Sequence, residues 1–331
     1  MRAPARVLAA LLLGGWLGPP ARAPAQELER AISLLAAENA RRYARPVTVA
    51  IGSTLNAGFL YTAATHEPLG FDVGIHVQGS RVAENDLTFE PLLPDSVVID
   101  GLVMREPYGA AGGSRSATAL GDGAGIVLTP QNEYRAMLQW RGIDPARRNL
   151  RFPDGLGFST APFAFIQAGL GVGLHTDVVI RFIPSLTLRQ DIGAVSMVGF
   201  GLKHSVDQWF SESSPVRVAV FGNLHHLRTG DYADARAGQV GVAASGEVTV
   251  LTLLGALAYE DTRVSVDYVL RNPGDLPGRP ADGTLLSFED GDGNLRATLG
   301  VALRLASARL ATNISVGPYT TLDLGLIFTE R

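Results

Sequence analysis

The sequence predicts an all-β fold, a transmembrane antiparallel up-and-down β-barrel of about 10–14 strands with a short N-terminal helix. Three features predict this fold: an export leader, one amphipathic helix near the start, and repeated two-residue alternation of apolar with small or polar residues. The alternating segments run for roughly 8–11 residues, close to the ~9–11 that a tilted membrane-spanning strand needs. A soluble secreted β-domain is the alternative.

The first 25 residues indicate a cleaved secretory signal peptide. Arg2 and Arg6 precede a short apolar run over residues 7–17. Residues 23–25 form a small-x-small cleavage site before Gln26. The run is shorter than the ~20 apolar residues of a spanning helix, so an uncleaved anchor is the weaker alternative. We expect export to the outer membrane of a Gram-negative-type cell.

Composition excludes several classes of protein. The chain has 28 basic and 32 acidic residues and a formal net charge of −4, without the clustered excess of Lys and Arg that nucleic-acid binding needs. It contains no cysteine, which excludes disulfides and thiolate metal sites. Its six histidines are scattered without metal-ligand spacing, so we expect neither a metal nor a cofactor.

One segment, residues 27–43, has clear helical periodicity. Leu28, Ile32 and Leu35 fall on one apolar stripe, and Pro46 is expected to end the helix. We therefore expect an amphipathic helix within residues 26–45, lying in the periplasm or in the barrel mouth. The barrel itself is expected over residues 46–331.

The last strand shows the barrel pattern most clearly, because large apolar residues alternate with smaller or polar ones. The apolar set is Leu322, Leu324, Leu326 and Phe328, and the intervening set is Asp323, Gly325 and Ile327. Side chains of a strand point alternately to opposite faces, so lipid outside and water inside would explain the pattern. We expect Leu324→Arg to block folding in a membrane and Gly325→Ser to be tolerated.

Several segments between the strands are rich in turn-forming residues. Residues 110–125, with residues 129–158 after them, predict either an extracellular loop or an inward-folded plug. Residues 289–294 predict a polar hairpin turn, because Leu295 and Val301 stand where a calcium loop needs Gly and Glu. The glycines of residues 169–173 are expected to leave room inside the barrel or to ease strand curvature.

Four polar side chains are candidates for the barrel lumen: Gln167, Asp177, Arg181 and Lys203. If the apolar faces contact lipid, these residues project inward, because a charge facing hydrocarbon is costly. They form either a salt-bridged network that fills a narrow pore or a ring that selects a solute. The sequence leaves both interpretations open.

An enzymatic site is the least favoured interpretation. No nucleophile-elbow motif is present in the sequence. A Ser/His/acid set assembled across strands remains the enzymatic alternative, with Ser205 beside His204 or His175 near Asp177 as its components. We therefore expect no catalytic residues and no enzyme.

Three blocks of sequence carry a family resemblance: residues 51–77, 162–184 and 199–209, in this order after the helix that ends near Pro46. With them the chain resembles an uncharacterised family of predicted outer-membrane β-barrel proteins that carries only a domain-of-unknown-function label. The resemblance brings no activity, ligand or catalytic residue. A looser similarity of architecture links the chain to barrels that transport long-chain fatty acids and other hydrophobic solutes.

These observations predict an outer-membrane barrel that binds or passes a small solute, a hydrophobic one if the looser similarity holds. Its expected partners are the lipid bilayer, the solute, and the barrel-assembly machinery, which would act through the C-terminal strand. Nucleic acid is not expected as a partner. The alternatives are a structural or adhesive surface barrel without transport and, less favoured, an outer-membrane lipid hydrolase.

Overall fold

The computed structural model describes residues 25–189, 193–209, 215–230, 233–269 and 285–330. The expected signal peptide lies outside these residues apart from Ala25, and so do the side chains of the expected stripe of Leu28, Ile32 and Leu35. The chain divides into two compact units. The first unit comprises Met1–Val47, Ala83–Ser159 and Val266–Glu289, and the barrel unit comprises Thr48–Val82, Thr160–Ser265 and Asp290–Arg331.

The described strands of the barrel form a closed antiparallel sheet of ten. They are β1 (Phe71–Arg81), β2 (Thr160–Gly173), β3 (Thr176–Arg189), β4 (Gly193–Ser205), β5 (Val216–Thr229), β6 (Ala233–Val248), β7 (Leu251–Val269), β8 (Leu285–Leu305), β9 (Ala308–Val316) and β10 (Thr320–Glu330). Neighbours follow chain order, and β1 closes the barrel by pairing with both β2 and β10. The predicted fold class is confirmed, at the lower end of the predicted strand number. The expected turn over residues 289–294 is wrong, because these residues continue β8.

Burial alternates along the strands as the sequence predicted. On β10, Leu324 and Leu326 are 49% and 43% exposed, whereas Asp323 and Ile327 are 1% exposed. On β8 the outward row runs from Leu295 to Leu305 and contains only apolar residues. Ten residues span about 34 Å along a strand, or about 26 Å across the membrane at a tilt near 40°, which matches the height of an apolar barrel band.

The N-terminal helix, α1, spans Ala25–Asn56 and corrects the expected end near Pro46, which lies inside it. A proline within a helix removes one backbone hydrogen bond and normally costs ~3 kcal/mol. Packing beyond the proline compensates, since Ala50, Leu55 and Asn56 are each no more than 2% exposed. Tertiary contacts therefore override the local stop signal. No helix in the described part of the chain is both long enough and apolar enough to span a membrane.

The end of α1 and the irregular chain after it lie inside the barrel. We call residues 48–70 the inner segment. Its backbone contacts inward side chains of strands on different sides of the barrel, among them Gln78, Arg181, Gln239 and Asn313. This corrects the expectation that the barrel wall begins at residue 46, because the first wall strand begins at Phe71.

The first unit has short elements and a core of its own. Its elements are Glu84–Asp86, Thr88–Phe89, Ser96–Ile99, Leu102–Arg105, Tyr108–Ala111, Ser116–Ala117, Val127–Pro130, α2 (Asn132–Trp140), Pro145–Arg148 and Leu150–Arg151. Tyr43, Phe89 and Ala119 form a buried cluster, and the Tyr43 hydroxyl donates to the carbonyl of Asp154 at 2.8 Å. Burial, with the nearby Asp154 carboxylate, raises the pKa of Tyr43 well above its usual value. Residues 110–158, expected as a loop or a plug, belong to this unit.

Candidate functional site

One side of the barrel interior is lined by buried polar side chains. They are His76, Gln78, Gln167, Asp177, Arg181, Lys203 and Asp323, each no more than 5% exposed. The four lumen candidates from the sequence are all in this group. Each of the four contacts the inner segment directly.

Arg181 closes the C-terminal end of helix α1 from the wall. One guanidinium nitrogen donates to the carbonyls of Leu55 at 3.0 Å and Ala57 at 2.9 Å, and Nε donates to Gln167 at 2.7 Å. The last carbonyls of a helix have no partner within the helix, and they lie at the negative end of its dipole. A cation held there gives the carbonyls a hydrogen-bond donor and places a positive charge at the negative end of the helix dipole. The ring of Phe165 covers the guanidinium carbon at 4.4 Å.

Amide side chains of the wall satisfy further carbonyls of the inner segment. Gln239 donates to Asn56 at 2.7 Å, and Gln78 shares the carbonyl of Ala57 with Arg181 at 3.0 Å. Beyond the helix, Gln167 donates to Phe59 at 3.3 Å and Asn313 donates to Leu60 at 3.1 Å. A buried irregular backbone needs such partners because a lost hydrogen bond there is costly. The wall and the inner segment are therefore chemically matched.

A cluster of charges holds the last part of the inner segment. Asp177 accepts from the backbone amide of His66 at 2.9 Å, and the two side chains meet at 3.0 Å. The other ring nitrogen of His66 lies 3.3 Å from Asp72. Lys203 pairs with Asp177 at 2.9 Å and donates to the carbonyl of Ala64 at 2.5 Å. Sequence reasoning missed His66, because neither the helical nor the strand pattern extends to residue 66. It also missed Asp72, the second residue of β1, because its partner His66 was not identified.

Glycines make room for the inner segment. Gly58 has φ +63°, and a Cβ there would lie 2.4 Å from Cγ of Asp323. A Cβ at Gly201 would lie 2.3 Å from the ring of Phe59, and one at Gly171 would lie 2.3 Å from the carbonyl of Glu67. The prediction that glycines near residue 171 leave room inside the barrel is confirmed.

The interior also contains an apolar cluster, which lies mainly against β5–β7 beside buried polar side chains such as Gln239 and Glu260. Phe59 and Leu60 of the inner segment pack there, and the rings of Phe59 and Phe221 lie 5.8 Å apart. The wall residues of this cluster are Val179, Ala219, Phe221, Ala243, Leu254 and Ala258. The small and polar inner face that the alternation predicts is therefore joined on β5–β7 by larger apolar residues such as Phe221 and Leu254. The lumen is amphipathic, and the inner segment matches both kinds of surface.

A small cavity lies beside the inner segment. This cavity of about 20 Å³ lies against Asn56, Gln239 and Arg296, and this volume holds about one water molecule. No group of three or more His, Asp or Glu residues in the described ranges is arranged to hold a metal ion.

The residues of the enzymatic alternative have other partners. His204 contacts the hydroxyl of Thr176 at 2.9 Å, whereas the hydroxyl of Ser205 donates to Asp207. Asp177 meets His66 rather than His175. The described contacts therefore do not bring either suggested set together.

Comparison with solved structures finds other barrels at low identity. An outer membrane channel from Pseudomonas putida F1 aligns with 81% of this chain and 98% of its own, at 9% identity and a TM-score of 0.34. The β domain of the Bordetella autotransporter BrkA aligns with 79% and 100%, at 10% identity and a TM-score of 0.32. Ail, the attachment invasion locus protein of Yersinia pestis, aligns with 80% and 100%, at 9% identity and a TM-score of 0.27.

Comparison with family models gives a match over nearly the whole chain. A search of curated proteins finds no match. The model of a family of unknown function, DUF6588, matches residues 2–329. This confirms the resemblance that the three sequence blocks indicated, and the chain belongs to this family of unknown function.

Proposed function

We propose that the protein is an outer-membrane β-barrel that its own inner segment closes at rest, and that it anchors the first unit to the membrane. Support for membrane insertion comes from the outward side chains, which are apolar and exposed along most described strands. Examples are Ile75, Phe200, Leu224, Leu257 and Leu299, which are 58–74% exposed. A closed barrel is the one sheet without unpaired edges, as a hydrocarbon environment requires.

The observation that carries the proposal is that several inward donors of the wall, among them Gln239 and Asn313, are bonded to carbonyls of the inner segment. A hydrogen bond of this kind contributes about 0.5–1.5 kcal/mol, and about 1.5–3 kcal/mol when one partner is charged. Arg181 and Lys203 supply the charged donors, to Leu55, Ala57 and Ala64. Removing the inner segment would break all of these bonds together. The closed state is therefore the stable one, and a permanently open pore is disfavoured.

Current measurements in planar lipid bilayers test this proposal. We expect the wild-type protein to insert without a lasting conductance. Arg181→Gln combined with Lys203→Gln removes charged bonds to the inner segment, so we expect repeated opening events. Arg296→Gln is the matched control, because Arg296 is equally buried but pairs with Glu260 of the wall at 2.7 Å. A steady open-channel current from the wild type would refute the closed resting state.

Solute passage is a second candidate function, favoured by the character of the lumen. If the inner segment moved, the apolar cluster around Phe221 and Leu254 would be uncovered beside polar groups. Asn223 and His225 already have buried side-chain nitrogen or oxygen atoms without a hydrogen-bond partner in the protein. An amphipathic lumen of this kind suits a hydrophobic solute with a polar head. Binding of a fluorescent long-chain fatty acid by the double variant, but not by Arg296→Gln, would support this candidate.

A further inference from the structure

The two ends of the barrel can be distinguished from the strand pairing of β1 with β10. Phe71, where β1 begins, pairs with Glu330, where β10 finishes; we call this the terminal end. Arg81, where β1 finishes, pairs with Thr320, where β10 begins; we call this the loop end. The chain after Val82 leaves the barrel unit at the loop end and returns to it at β2.

Contacts of the inner segment give its direction through the barrel. The carbonyl of Ser53 accepts from Thr321, the second residue of β10, at the loop end. His66 contacts Asp72 and Asp177, the second residues of β1 and β3, at the terminal end. The chain therefore enters the lumen at the loop end and leaves it at the terminal end.

Chain length agrees with a full crossing of the lumen. The steps from Ser53 to His66 extend up to about 45 Å when fully stretched. Ten residues of a strand tilted near 40° cover about 26 Å along the barrel axis. The inner segment therefore crosses the barrel with slack, which its helical first part takes up.

We propose that the barrel carries its own chain across the membrane, so that the chain enters the lumen at Thr48 from the opposite membrane face to Glu330. This inference rests on the proposed membrane insertion. It follows because the residues before Thr48 continue from the loop end, whereas β10 finishes at the terminal end. The barrel then has a further function, which is to deliver its N-terminal region to the face where the loop end opens.

Charge in the delivered region explains why the lumen is its route. Glu38 lies in this part of α1 and forms ion pairs with both Arg41 and Arg42. Such charged side chains are unfavourable in hydrocarbon, whereas a lumen lined by polar groups accepts polar chain.

Paired cysteines test the inference independently of barrel orientation, since the natural chain has no cysteine. The protein is inserted into sealed phosphatidylcholine vesicles and treated with a membrane-impermeant polyethylene-glycol maleimide, which retards each labelled site on a gel. Molecules with Arg42→Cys and Asp122→Cys should carry two labels or none. Molecules with Arg42→Cys and Ser307→Cys should carry one label each, because Ser307 lies between β8 and β9 at the terminal end.

The opposite pattern would overturn the inference: one label each for the first pair, and two or none for the second. Arg41→Cys replaces Arg42→Cys if the latter fails to fold, and it must give the same pattern. Flotation with the vesicles is measured on the same samples. Failure to float would overturn the proposed membrane insertion, whereas a reversed labelling pattern on floating protein would overturn only the crossing.

Discussion

Replacing Leu324 by arginine tests whether the outward face of the barrel contacts lipid. Leu324 is 49% exposed in the middle of the outward row of β10, and its partners across the sheet are Val77 and Thr312. In water an exposed leucine tolerates such a change, with an effect usually within about 0.5 kcal/mol. In the middle of a bilayer the guanidinium group would lie in hydrocarbon.

The magnitude depends on depth in the membrane. An arginine near the bilayer midplane of a barrel costs about 2–4 kcal/mol, and one near the interface costs about 0–1 kcal/mol. Thr320 lies on the same face of the same strand, about 14 Å from Leu324 along the chain direction. We therefore expect Leu324→Arg to destabilise the folded barrel by about 2–3 kcal/mol more than Thr320→Arg. This difference is about 30- to 150-fold in the folding equilibrium constant.

The assay is unfolding by urea in phospholipid vesicles, followed by the faster migration of folded barrel on unboiled gels. Leu324→Met controls for the loss of the leucine shape and should remain close to the wild type. Equal stability of the two arginine variants would refute the reasoning, because it would mean that the outward face of β10 has no hydrocarbon contact.

Two further substitutions, each with a matched control, test the fit between the inner segment and the wall. Gly58→Ala should lower the free energy of unfolding by at least ~1 kcal/mol, since the left-handed backbone alone costs about that much for alanine. Its control is Gly255→Ala, which has open space around the new Cβ and should be nearly neutral in the same urea titration. Asp177→Asn leaves buried cationic partners without their carboxylate and should cost about 3–5 kcal/mol. Asp207→Asn, whose partner Arg217 is 48% exposed, should cost about 1 kcal/mol or less. Equal effects at the two aspartates would contradict a buried charge cluster.

The wall of the barrel was predictable from sequence because its signal is local. Alternation along residues 322–328 is visible within seven letters, and the same rule gave the inward positions of Asp177 and Arg181. Each inward side chain needs only its own strand to define its face. The strand number was less well defined, because turns and strand ends depend on pairing with neighbours.

The inner segment was not predictable, because its conformation depends on partners far away in the chain. His66 and Asp177 are 111 residues apart, and Leu60 and Asn313 are 253 residues apart. Pro46 is a local helix-stop signal that tertiary packing overrides. No periodic pattern in one sequence reports contacts of this kind.

The filled lumen also corrects the expected tolerance of Gly325→Ser. A Cβ at Gly325 would lie 2.8 Å from Cε1 of His76, which is itself 2% exposed. His76 is held by Asp323 at 3.2 Å and stacks on Phe165 at 5.1 Å between ring centres. Serine at residue 325 therefore requires a buried ring to move, and we expect it to destabilise the barrel. Facing inward is not enough for tolerance when the interior is packed.

Occupation of the lumen by the inner segment is tested most directly by a disulfide between the inner segment and the wall. The hydroxyl oxygens of Thr62 and Ser245 lie 3.1 Å apart, close enough for a disulfide after a small adjustment. In this chain without cysteine, Thr62→Cys with Ser245→Cys should oxidise to a disulfide in folded protein and shift on a non-reducing gel. Thr62→Cys with Ala244→Cys should not, because Ala244 points outward from the same strand. Cross-linking at residue 244 but not at residue 245, or at neither, would contradict a barrel filled by its own chain.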